Sequence, residues 1–177
     1  IEDYCEVELD HCVVSLSDND GIQLQGDYGY LTLDHCEIKN CDNDGLGWNG
    51  SVGEAVDSIR IEFSDFHSNS GDGSNGPPFR DQYIIHNDRY SDNGGWGASN
   101  WDLAVDENRQ AIITNSFFYG NDLGGLLFAN AVVENPLTYI YNSAFFRNNG
   151  PGMQIDDCAL FDEIELYNCV FLDNDDE

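Results

Sequence analysis

One six-residue pattern returns seven times along the chain, and it constrains the fold more than any other feature. The copies are Val7–Cys12, Leu31–Cys36, Ile59–Ser64, Tyr83–Asp88, Ala111–Ser116, Thr138–Ser143 and Ile164–Cys169, whose starts lie 24, 28, 24, 28, 27 and 26 residues apart. Two residues beyond each copy stands an apolar residue: Val14, Ile38, Phe66, Tyr90, Phe118, Phe145 and Phe171. Three further on comes Asn69, Asn93, Asn121, Asn148 or Asn174, with Ser17 and Cys41 in the first two copies. A glycine soon follows in most copies, then a short alternating stretch such as Ile22–Leu24, Leu126–Phe128 or Met153–Ile155.

Apolar residues at i and i+2 put one face of a strand inward, while Asn and Gly supply left-handed backbone for sharp bends. Each repeat therefore reads as strand, one-residue bend, strand, Asn/Gly turn, strand, and helical spacing is nowhere sustained. A three-strand repeat cannot bury its inward face alone, so copies must stack, each strand pairing in parallel with its equivalent in the next. The expected fold is all-β: a right-handed, single-stranded parallel β-helix of about seven turns, on the order of 30 Å long at about 4.8 Å per turn. Residues 1–177 form one solenoid domain in this reading, with enlarged loops at 71–82 and 96–110. Neither end shows a cap, so a segment of a longer chain, or a subunit that stacks end to end on other copies, is expected.

Composition narrows the partners. Six Lys and Arg against 34 Asp and Glu give a formal charge of −28. Nucleic acid lacks the basic footprint it requires, and an anionic membrane surface is excluded by the same field. No run approaches the ~20 apolar residues of a membrane span, so membrane insertion is not expected. Acid excess with a single lysine, Lys39, fits either a salt-loving organism or a calcium-rich extracellular surface. Six cysteines suit an oxidising compartment, and the expected location is extracellular or at the cell surface. Cys12 and Cys36 are neighbours in the stack and a candidate pair, Cys41 and Cys169 fall in repeated columns, and Cys5 and Cys158 lie outside them.

Stacking brings equivalent residues together. His11 and His35 share one column and Cys12 and Cys36 the next, a His2Cys2 zinc set by residue type. The plainer reading is that small residues fill a tight corner and His replaces Asn in a hydrogen-bonded ladder. Asp18, Asp20, Asp42 and Asp44 cluster at glycine turns of successive rungs, where oxygen ligands suit Ca²⁺. Their plainer role is turn formation.

The motif N-[SC]-x-F-x-x-N followed by Gly resembles the parallel β-helix repeat family, seen in pectate-lyase-like polysaccharide enzymes, phage tailspikes and bacterial surface proteins. Phe118–Gly125 is also similar to the repeats of polymorphic outer-membrane proteins. The resemblance speaks to fold more than to function. It implies one enzymatic candidate, a Ca²⁺-dependent polysaccharide lyase: Asp88 and Asp92 would join the metal ligands, and Arg89 or His86 would remove the proton next to a uronate carboxylate. Arg80, Arg109, Trp48, Trp96 and Trp101 would bind the polysaccharide. Against this, the Asn-Thr-Asp, Gly-His-Asp and Arg-x-Lys segments of polygalacturonases are absent, as is the Asp-Pro-His of alginate epimerases. The leading expectation is non-catalytic: an acidic, extracellular structural or adhesive segment of a surface or filament protein, with Ca²⁺ as its stabilising ion.

Overall fold

The repeat register read from the sequence is the strand register of the folded chain. The computed structural model describes residues 5–26, 29–50, 55–99, 110–128, 137–156 and 163–175. These contain twenty strands and no helix, arranged as three parallel sheets of seven, seven and six strands. In the first sheet Val7, Leu31, Ile59, Tyr83, Ala111, Thr138 and Ile164 lie opposite one another, the seven starting positions of the repeat. The second sheet pairs the three-residue strands from Val13–Ser15 to Val170–Leu172, and the third those from Ile22–Leu24 to Met153–Ile155. Each connection runs from one sheet to the next, so every strand meets its equivalent only after a full coil.

Alternation sends Leu31, Leu33, Ile59, Ile61, Ile85, Ile113 and Ile140 inward from the first sheet. The second sheet contributes a column of parallel rings: Phe66, Tyr90, Phe118, Phe145 and Phe171 stack at centroid distances of 5.0, 5.0, 4.8 and 4.7 Å. The coil spacing sets that distance, which also suits aromatic contact.

Two left-handed residues turn each coil. The first bend is His11, His35, Phe63, Asn87, Asn115, Asn142 or Asn168, all at φ between 51° and 60°. The second is Leu16, Asn40, Ser68, Asp92, Gly120, Arg147 or Asp173. The asparagine that follows this second bend is therefore not the residue that makes it, contrary to the sequence reading. It is buried, and its amide joins the coils: Asn69 Nδ2 donates to Asn93 Oδ1 at 3.0 Å, Asn93 to Asn121 at 2.9 Å, Asn121 to Asn148 at 3.0 Å and Asn148 to Asn174 at 2.9 Å. The acceptor oxygen also receives the backbone N–H of the preceding coil's asparagine, at 3.0–3.2 Å. Burial of an amide is tolerated because donors and acceptors are matched along the column.

The glycines of the turn answer to space rather than to backbone sign. A Cβ on Gly45, Gly73, Gly97 or Gly125 would stand 2.4–2.6 Å from the carbonyl oxygen of the corresponding glycine in the next coil. Only a residue without Cβ lets the coils approach this closely.

Of the enlarged loops, 71–82 carries the short strand Ser74–Asn75 and the start of Phe79–His86, where pairing shifts register between Phe79 and Gln82. In the other, residues 100–109 lie outside the described residues.

Candidate functional site

Arg89, His86 and Asp88 are neighbours in sequence, and the bend at Asn87 directs them to three environments. His86 ends a first-sheet strand, and its Nδ1 meets the Thr114 hydroxyl of the next coil. Arg89 opens the second-sheet strand Arg89–Ser91 and grips Asp65 of the preceding coil through Nε, at 2.9 Å, and Nη2. That carboxylate raises the guanidinium above the usual arginine range, which opposes the neutral form a proton-abstracting base requires. Asp88 points inward. Its oxygens accept from the backbone N–H of Ser64, at 2.6 Å, and of His86, at 3.0 Å. Burial pushes its carboxyl up to about 8, outweighing those two hydrogen bonds. It occupies the column of Ser64, Ser116 and Ser143, whose hydroxyls cap the same backbone position. A metal reaching Asp88 would have to displace backbone donors from the interior. Asp92 stands at the other bend, exposed.

The glycine-turn aspartates do share a column, but their oxygens already have work within the fold. Asp20 Oδ1 accepts from Asn43 Nδ2 at 2.6 Å and from the Asp44 N–H at 3.2 Å. Asp44 Oδ1 accepts from the Asp72 N–H at 2.7 Å, and Asp72 Oδ1 from the Trp96 N–H at 2.6 Å. Each carboxylate caps an amide of the next coil. Desolvation raises Asp44, and it raises Asp72 to about 6. Asp72 was absent from the predicted set, although Asp-Gly at 20–21, 44–45 and 72–73 marks the column in sequence. Asp18 and Asp42, two residues before Asp20 and Asp44, are exposed.

The remaining predicted residues are dispersed. Trp48 packs against the core, while the Trp96 ring lies over Gly124, where a Cβ would come within 2.1 Å of it. Arg80 donates to the Ala55 carbonyl at 2.8 Å and lies 3.6 Å from Asp57. Trp101 and Arg109 lie outside the described residues. His11 and His35 are exposed, whereas Cys12 and Cys36 turn toward the core and donate to backbone carbonyls, so the His2Cys2 set does not assemble. Cys5, Cys12, Cys36, Cys41 and Cys169 are free thiols; the Cys12–Cys36 pairing is not formed, and Cys158 lies outside the described residues.

A surface feature not singled out in the sequence is more coherent. On the outer face of the second sheet, the positions flanking the core residue are Glu37 and Lys39, Asp65 and His67, then Arg89 and Ser91. In the next three coils they become Phe117 and Tyr119, Ala144 and Phe146, Val170 and Leu172. Phe117, Val170 and Leu172 are each more than half exposed, and the Tyr119 and Phe146 rings lie 4.8 Å apart. The signal was legible as Phe117–Tyr119, Ala144–Phe146 and Val170–Leu172: three apolar residues running where one buried face requires alternation.

Three parallel sheets wound coil upon coil, with left-handed corners and a buried amide ladder, define a parallel β-helix. The family described as right handed beta helix region matches residues 20–177, and the chain belongs to it. That family covers both pectate-lyase-like enzymes and structural segments. No curated protein and no solved structure matches the chain.

Proposed function

We propose that the chain is a structural and adhesive segment of an extracellular surface or filament protein, holding an insoluble neutral polysaccharide through the outer face of its second sheet. The observation that carries this reading is the apolar strip on that face, in which Phe117, Val170 and Leu172 are exposed and the half-buried Tyr119 and Phe146 rings lie between them. Contiguous exposed apolar surface marks interaction sites, and aromatic rings supply flat contact area for sugar faces. A net charge of −28 favours a neutral polymer over an anionic one. Ca²⁺ would serve here by relieving repulsion among exposed carboxylates such as Asp18 and Asp42.

The test is sedimentation with neutral polysaccharide particles. The chain is expected in the pellet, and Phe117→Ser with Phe146→Ser is expected to leave it in the supernatant with its melting temperature nearly unchanged. Equal pelleting of chain and variant would overturn the reading. The lyase alternative is measured in parallel by ultraviolet absorbance with uronate polymers and Ca²⁺. A flat trace is expected, and growth that disappears in Arg89→Ala would replace the adhesive reading with an enzymatic one.

A further inference from the structure

The first two coils carry a histidine pair that the adhesive reading leaves unused. His11 and His35 occupy successive first bends, both at φ 51°, with rings stacked at 4.7 Å and 6° from parallel. Each follows an aspartate, and Asp10 and Asp34 lie opposite one another in the strand register. Asp34 Oδ1 holds His35 Nδ1 at 2.7 Å, and Asp10 makes the same, closer contact with His11. One ligand atom from each of Asp10, His11 and His35 lies within 4.8 Å of the other two.

We propose that Asp10, His11 and His35 form a surface site for a divalent transition ion of the zinc type, with Asp34 orienting the His35 ring. Two imidazoles and a carboxylate are a nitrogen-rich donor set that suits zinc, whereas calcium prefers oxygen throughout. Metal-binding histidines commonly give their second ring nitrogen to a carboxylate, which fixes the tautomer and ring direction. The Asp34–His35 contact has that form and leaves Nε2 as the ligand atom. Bonds of about 2.0–2.1 Å to two imidazoles bring their nitrogens to roughly 3.3 Å apart. The rings must close from their present stacking, and the side chains have room: His11 and Asp10 are 70% and 57% exposed, His35 and Asp34 47% and 38%. Cys12 and Cys36, one residue on, face the core and take no part.

A purely conformational role for the histidines predicts a different result, since His also tolerates left-handed backbone. Metal-stripped chain is titrated with zinc chloride by calorimetry in excess Mg²⁺ and Ca²⁺, which occupy the remaining carboxylates. One zinc per chain is expected. His11→Asn and His35→Asn install the residue that makes the same bend at Asn115 and Asn142. Each is expected to lower zinc affinity by about tenfold or more, and Asp34→Asn by roughly 10–100-fold. His67→Asn should leave the titration unchanged. Ring-nitrogen NMR of the unaltered chain gives a readout free of any folding defect: zinc should move the His11 and His35 signals together and leave His86 in place. Zinc binding that survives both asparagine variants, or ring signals that stay still at saturation, would overturn the site.

Discussion

The second sheet has one interior and two exteriors. Across coils two to four its outer face is charged and internally paired: Glu37 meets Lys39 at 2.7 Å and His67 at 3.0 Å, and Arg89 clasps Asp65. Across coils five to seven the same positions are aromatic and aliphatic, with Phe117, Val170 and Leu172 exposed. Between them, the inward column continues from Ile38 through Phe66, Tyr90 and Phe118 to Phe145 without noticing the change. A solenoid strand separates the two tasks, because alternate side chains point to opposite faces and only the inner set must match the neighbouring coil. The outer set is free to differ from coil to coil, and that is where function can be written.

The largest effects should come from the shared interior, and they should not distinguish the two regions. Phe66→Ala and Phe118→Ala each remove a ring stacked between coils, and each is expected to cost about 3–5 kcal/mol in denaturant unfolding. A small loss in only one of them would mean that the halves do not share a core.

Asp88 supplies the next effect, because it places a carboxyl where the column otherwise has serine. Its pKa is raised from the ordinary 3.8 to about 8, so the folded chain keeps a proton that the unfolded chain has lost. Stability from this group is therefore greatest below pH 4 and falls as pH rises from about 4 to about 8, by up to roughly 1.4 kcal/mol per unit. Asp88→Ser, which restores the column's residue, is expected to be more stable than the parent at pH 8 and to flatten that part of the profile. Melting curves from pH 4 to 9 measure both, and an unchanged slope would contradict the buried placement.

The smallest effects belong to the outer faces and sharpen the contrast. Arg89→Ala breaks an exposed ion pair and should change stability by only about 0–1 kcal/mol. Phe117→Ser should cost a similarly small amount while reducing polysaccharide retention, which Arg89→Ala leaves intact. Equal loss of retention in both would show that the charged and apolar regions act as one surface.

Much of the fold was legible in the chain because a repeat encodes its own register. Val7, Leu31, Ile59 and their successors are equivalent by spacing and opposite one another in the sheet. The site was less legible for a specific reason: Asn, Asp and Gly serve several roles, and sequence position does not distinguish them. Asn121 looks like a bend residue, yet it is a buried rung beside the bend at Gly120. Asp44 looks like an exposed calcium ligand, yet its oxygens accept from Asp72 and Asn75 of the next coil.

By itself, the sequence determined that the chain coils, where each coil begins and which residues stack. Period and alternation decide these, and both can be read along one dimension. Only the tertiary structure decided that Arg89 would pair with Asp65, that Asp88 would be buried among serines, and that His11 and His35 would stand together outside while Cys12 and Cys36 turned in. Those outcomes depend on partners 24 or more residues away and on the side of a left-handed corner to which each side chain is directed.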